Sequence, residues 1–322
     1  MKMKALPTLL AFAVLSLPLT SNAEDAPAAA GADKKIGVTV AIPPYHFIVK
    51  AVGGDLVDIT TLVDAGQDPH SFNLTPNQTI KLAESDIFFT SGMPFEEQFI
   101  FEISAEAPDL KILFINEGLE LLESACLHDH HAHEEEVEGE GAEGEEDGHD
   151  HDHDHHHDHG GPDPHTWTSP AYLGMQAITV YEALVEVAPE KEEQLKANLK
   201  KVLGKISEAD KKIAANLKPH KGKAFYVFHP AFSYFAKQYG LTELAIEVEG
   251  KQPTPKQLLK IIEEAGASNA KAIFIEPQFD TSAAKQVAKE IGAEIKLVDP
   301  LQEDILTTLL EFSNGLAETL AE

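Results

Sequence analysis

Between Pro189 and Pro219 the chain carries one long apolar stripe, and this stripe constrains the fold more than any other feature. Leu195, Leu199, Val202, Leu203, Ile206, Ile213 and Leu217 fall three and four residues apart, the spacing that lines up one face of an α-helix. The two prolines mark its ends. The spacing predicts a helix over residues 191–217, which at about 1.5 Å per residue spans roughly 40 Å. That is long enough to cross from one lobe of a protein to another.

The sequence on either side repeats a single grammar. Before the stripe, residues 36–42, 57–63, 87–90 and 111–115 are short runs of β-branched and aromatic residues, separated by helical patterns over residues 45–52, from Pro76 onward, and over 95–105. After it, strand-like runs at 224–228, 244–248, 272–275 and 294–298 alternate with helical patterns at 232–239, 255–265, 283–291 and 305–320. Strand alternating with helix is the signature of a parallel sheet covered on both faces. The expected fold class is α/β: two lobes, each with a short parallel sheet and flanking helices, joined by one long rigid helix. The expected boundaries are 36–188 for the first lobe, 189–218 for the connecting helix and 219–322 for the second lobe.

The N-terminus reads as a secretory signal. Lys2 and Lys4 precede an apolar stretch from Leu6 to Leu19, and Ser21-Asn22-Ala23 is a small-x-small cleavage site. Cleavage near Ala23 followed by a loose leader over 24–35 predicts an exported, periplasmic protein without a membrane span. The formal charge of −29 argues against nucleic acid and anionic membrane surfaces as partners. Much of that charge is local, since residues 128–159 hold 14 Asp and Glu and no Lys. Cys126 is the only cysteine, which excludes an internal disulfide. It reads as a small buried hydrophobe or, alternatively, as a soft auxiliary metal ligand.

Two kinds of histidine are present. From His149 to His159 imidazoles alternate or nearly alternate with aspartates and offer nothing to a core; the acidic, histidine-rich stretch over 128–161 is therefore expected to be a disordered loop that gathers a transition metal. His70, His165 and His229 are different. Each adjoins a proline, two follow Asp-Pro, and His70 and His229 follow predicted strands, where open α/β sheets place their ligands. Three imidazoles and one oxygen suit zinc. Asp280 is the expected oxygen donor, with Glu276 or a water as its rivals. Asp68 and Asp163 are close enough in sequence to orient an imidazole.

The order DPHSF, a His-Asp-rich insert, DPHTW, FHPAFSYFAKQYGL and IEPQF resembles the zinc-binding solute receptors of ABC importers, of the ZnuA-like periplasmic type. The resemblance covers nearly the whole chain beyond the signal. It implies two α/β lobes on one rigid helix, metal bound in the cleft by His70, His165 and His229, and no chemical turnover. It also implies a monomer that delivers Zn²⁺ to an ABC permease in the inner membrane. Related manganese receptors place a carboxylate at the position of His229, which favours zinc here. Alternatives are manganese as the metal, a secreted metal-buffering or adhesin protein of the same fold, and a secreted zinc hydrolase, for which the chain shows no HExxH.

Overall fold

The computed structural model describes residues 35–124, 161–248 and 250–321. The expected signal segment, Cys126 and the histidine-rich tract lie outside them. Strands β1 (Ile36–Val40), β2 (Val57–Thr61), β3 (Ile87–Thr90) and β4 (Lys111–Phe114) form a four-stranded parallel sheet in the order β2-β1-β3-β4. Helices α1 (Pro43–Gly53), α2 (Pro76–Ala83) and α3 (Pro94–Glu106) connect them. After α4 (Pro170–Val187) and α5 (Glu192–Leu217) the pattern restarts. Strands β5 (Ala224–Val227), β6 (Thr242–Ala245), β7 (Ala272–Ile275) and β8 (Glu294–Leu297) form a second parallel sheet, ordered β6-β5-β7-β8. Its helices are α6 (Ser233–Tyr239), α7 (Pro255–Ala267), α8 (Ser282–Ile291) and α9 (Ile305–Leu320).

The central strands explain why both sheets are covered on two faces. Every residue of β3, IFFT, and of β7, AIFI, is buried, and a strand without a polar face has to lie between layers. Helix starts are equally legible. Thr75 and Gln78 form a reciprocal capping box at α2, and Thr254 and Gln257 form another at α7. Gly240 and Gly292 close α6 and α8 at φ +70° and +72°, a left-handed conformation that glycine adopts without a Cβ clash.

Helix α5 is the predicted strut. Its 26 residues bury Leu195, Val202, Ile206, Ile213 and Leu217, and it packs on α1 and α4 of the first lobe and on α9 of the second. On α9, Phe312 reaches Phe225, Phe232 and Phe274 of the second lobe at ring separations of 5.6, 4.2 and 4.9 Å. Burying one such ring contributes about 1.5–3 kcal/mol, so the strut is fixed at both ends by packing. No described helix is long and apolar enough to cross a membrane.

One expected strand is shifted. The apolar run at 244–248 predicts its own centre as the strand, but β6 begins at Thr242 because that residue pairs with Ala224 of β5. Register is set by the partner strand, not by the run. The pairing ends at Ala245 and the chain turns at Val248, which exchanges backbone hydrogen bonds with Lys251. As a result Glu247 lies beyond the carboxyl end of the sheet.

Candidate metal centre

His70, His165 and His229 arrive from three separate segments. His70 occupies a single 3-10 turn, Pro69–Ser71, reached from β2. Asp68 caps this turn, accepting the His70 backbone N–H at 2.9 Å and the Ser71 hydroxyl at 2.8 Å. His165 precedes a second 3-10 turn, Thr166–Thr168, that feeds α4. His229 lies two residues past the end of β5. One nitrogen from each ring lies within 4.8 Å of the other two. His165 and His229 are buried, while His70 is the exposed member.

Two of the rings are oriented by carboxylates. The Nδ1 of His165 lies 2.8 Å from Asp163 Oδ1, and the Nδ1 of His229 lies 2.8 Å from Glu247 Oε1. Asp163 is ionised and accepts, so the Nδ1 of His165 is the donor and its Nε2 keeps the lone pair; the Nδ1 of His229 donates likewise when Glu247 is ionised. Those two Nε2 atoms face each other at 3.2 Å. Two bare lone pairs would repel at that distance, so the gap suits either a proton on one ring or a cation shared by both. In a tetrahedral zinc site with Zn–N bonds of about 2.0–2.1 Å, neighbouring nitrogens stand about 3.3 Å apart. The separation therefore fits a shared cation.

The electrostatics agree. Burial, then the neighbouring His165 imidazole, pushes His229 down to about 3, so its ring is neutral at ordinary pH. His70 moves in the same direction through desolvation and through its two neighbouring imidazoles. Because His70 is exposed, water screens part of this effect. Two opposing sets of forces act on Asp163. Burial raises it, but electrostatic attraction to the His165 imidazole and hydrogen bonds from that ring, the Ser233 hydroxyl and the His165 N–H outweigh burial and hold it below the usual carboxylate range. Glu247 is raised by burial to about 7; a dication at the three nitrogens would return it to the ionised form.

Neither Asp280, the expected oxygen donor, nor its rival Glu276 joins the cluster of three histidines. Asp280 is not brought to the histidines: it is exposed, and its Oδ1 accepts the Ser282 N–H at 3.0 Å at the start of α8. Glu276 is fully buried beneath the site, where its Oε2 accepts the His229 backbone N–H at 3.2 Å. Its Oε1 has no hydrogen-bond partner among the described residues, and burial holds its carboxyl well above the usual range. Of the two aspartates expected to orient an imidazole, Asp163 holds a ring, whereas Asp68 holds only backbone and a hydroxyl.

Three contributors were missed by sequence reasoning. Glu247 was concealed by its placement inside a predicted strand. Trp167 is buried between the lobes; its indole donates to Pro300 O at 2.8 Å and its ring lies 5.2 Å from His165. Phe279 stacks on His229 at 4.5 Å and 30°. The signal for Glu247 was available, because residues just past a strand's carboxyl end are where such sheets hold ligands. Trp167 and Phe279 stand in the DPHTW and IEPQF motifs, but nothing local gives either a role at the histidines.

Comparison with known proteins supplies the family. Residues 38–322 match the family described as ZnuA, zinc-uptake complex component A, periplasmic. The chain is similar to the high-affinity zinc uptake system protein ZnuA of Yersinia pestis, with 29% identity over 283 residues, 87% of this chain and 88% of that protein. It is also similar to the zinc-binding protein AdcA of Streptococcus pyogenes, 29% identical over 84% of this chain, but it spans only about half, 51%, of AdcA. Among solved structures, a crystal structure of ZnuA superposes with a TM-score of 0.76 at 29% identity, covering 89% of this chain and 100% of the other. A zinc-bound deletion mutant of ZnuA gives 0.75 at 29%, covering 89% and 98%. The family consists of substrate-binding receptors without chemical turnover, and its ZnuA members are periplasmic. With two parallel sheets on one long helix and a match from residue 38 to the last, this chain belongs to the ZnuA family of zinc-uptake receptors.

Proposed function

We propose that the chain is a periplasmic receptor that captures Zn²⁺ through His70, His165 and His229 and delivers it to an ABC permease. The observation that carries this reading is the 3.2 Å approach of two Nε2 atoms whose Nδ1 partners are both carboxylates. Such a pair presents lone pairs already aimed at one point, so a metal meets ligands that need no reorientation. His165 belongs to the segment feeding α4, and His229 follows β5 of the second lobe. An ion between them joins the two lobes, which is what a receptor needs if a permease is to tell its loaded form from its unloaded form.

Water takes the fourth position in this reading. Asp280 is engaged at the start of α8, and Glu276 is engaged with the His229 backbone. A centre of three neutral imidazoles and water suits zinc better than manganese, which favours six oxygen-rich ligands. The histidine-rich tract at 128–159, outside the described residues, adds weaker zinc sites that raise local metal supply.

The test is a titration of zinc, and separately of manganese, into the full chain and into a chain lacking residues 128–159. The expected outcome is one tight zinc site in both, with the weaker sites lost from the shortened chain and manganese bound far less tightly than zinc. Loss of the tight site with the tract, or preference for manganese, would contradict the proposal.

A further inference from the structure

One wall of the metal centre is apolar. The cavity of about 10 Å³ that the three histidines share is lined otherwise by Pro69, Trp167, Ala231, Phe279, Leu301 and their immediate neighbours Gln278 and Pro300. None of these is a carboxylate. A cavity of that size has room for about one water or one ion, and only His70 among the three ligands is exposed. Additional oxygen ligands therefore have one side from which to enter.

Phe279 stacks on a ligand ring. Its ring lies over the His229 imidazole at 4.5 Å, tilted by 30°, and the Phe228 ring lies 6.1 Å away. Its loop is held on both sides. Gln278 donates to Asp299 Oδ1 at 2.6 Å, and the same oxygen accepts the Leu301 N–H at 3.0 Å. The next carbonyl, Pro300 O, accepts the Trp167 indole N–H. The wall is thus tied to the loop after β8 and, through Trp167, to the segment that carries His165.

We propose that Phe279 is a specificity-determining residue: it fills the coordination space beside His229, holds the bound metal to four ligands, and so discriminates against ions that need six. The proposal rests on the metal-receptor reading above. Zinc loses nothing in such a site because it has no geometric preference of its own and is satisfied by four ligands. Manganese, which binds best with six mostly oxygen ligands, would have to give up water molecules that the wall leaves no room for.

Cobalt(II) is the probe that separates the two cases, because four-coordinate Co²⁺ absorbs visible light far more strongly than six-coordinate Co²⁺. The full chain, Phe279→Ala and Phe279→Leu each receive less than one equivalent of Co²⁺, so that the tightest site fills first. His229→Ala supplies the background from all other histidines. Zinc and manganese are then competed against the same chelator. The intense four-coordinate spectrum is expected for the wild type. It should fall at least twofold in Phe279→Ala, the manganese-to-zinc affinity ratio should rise at least roughly tenfold, and Phe279→Leu should recover most of both properties. An unchanged spectrum and ratio in Phe279→Ala, or a six-coordinate spectrum in the wild type, would overturn the proposal while leaving the receptor reading in place. Wild-type binding no stronger than that of His229→Ala would overturn the receptor reading itself.

Discussion

Two Asp-Pro-His segments meet at the metal centre, and their aspartates do different work. In residues 163–165 the aspartate is buried, and one oxygen takes both the backbone N–H and the ring Nδ1–H of His165, at 2.9 and 2.8 Å. Its other oxygen accepts the Ser233 hydroxyl, and Tyr234 donates to its backbone carbonyl at 2.7 Å. In residues 68–70 the aspartate holds only the His70 backbone and Ser71, and among the described residues no hydrogen bond holds the His70 ring. The same three residues thus build an oriented ligand in one place and an exposed, less constrained ligand in the other. Burial makes the difference. Where the second lobe covers the segment, the carboxylate has no water to accept from and turns to the ring; where solvent reaches it, capping the turn is enough.

This contrast ranks the effects of substitution. The largest loss is expected for His165→Ala and His229→Ala, each weakening tight zinc binding by orders of magnitude in chelator competition, since a missing imidazole is rarely replaced in kind. His70→Ala should cost less than either, because water can reach its position. Equal losses at all three would erase the distinction between oriented and exposed ligands.

Acid gives the next effect. In the folded, metal-free chain the His229 imidazole is held down to about 3 from an ordinary 6.5. Between those values the unfolded chain binds more protons, so this group's contribution to stability is present above pH 6.5 and is lost as pH falls toward 3. Denaturant unfolding of wild type and His229→Gln from pH 7.5 to 4 should show wild type losing stability faster on acidification, by a difference on the order of 1 kcal/mol or more by pH 4. Parallel pH profiles would show that His229 carries no such shift.

Smaller effects sharpen the comparison of the aspartates. Asp163→Ala and Glu247→Ala should each weaken zinc about 10–100-fold, the usual consequence of removing a carboxylate behind a metal-bound imidazole. Asp68→Ala should weaken it by less than about tenfold, since only the turn is loosened. If Asp68→Ala matched Asp163→Ala, the exposed segment would have to orient its ring when metal arrives.

The sequence carries much of this molecule on its surface, for identifiable reasons. The strut was readable because the spacing from Leu195 to Leu217 has a single helical solution. The sheets were readable because IFFT and AIFI have no polar face. The three histidines were readable because proline beside histidine after a strand is unusual and occurs in both halves of the chain. Glu247 was not, because β6 takes its register from β5, so the apolar run around Leu244 pointed two residues too late. Asp280 drew attention by lying just past β7, yet its carboxylate serves the first turn of α8. Phe279 and Trp167 gain their places only when separate loops fold together, and no local pattern records that.

The most direct test is X-ray absorption at the zinc edge for the full chain loaded with less than one equivalent of zinc, beside His229→Ala loaded in the same way. The account predicts a low-coordinate shell of three imidazole nitrogens and one further light ligand at about 2.0–2.1 Å, with the imidazole signature reduced in the variant. A shell containing sulfur, a six-coordinate oxygen shell, or a spectrum indifferent to His229 would contradict it.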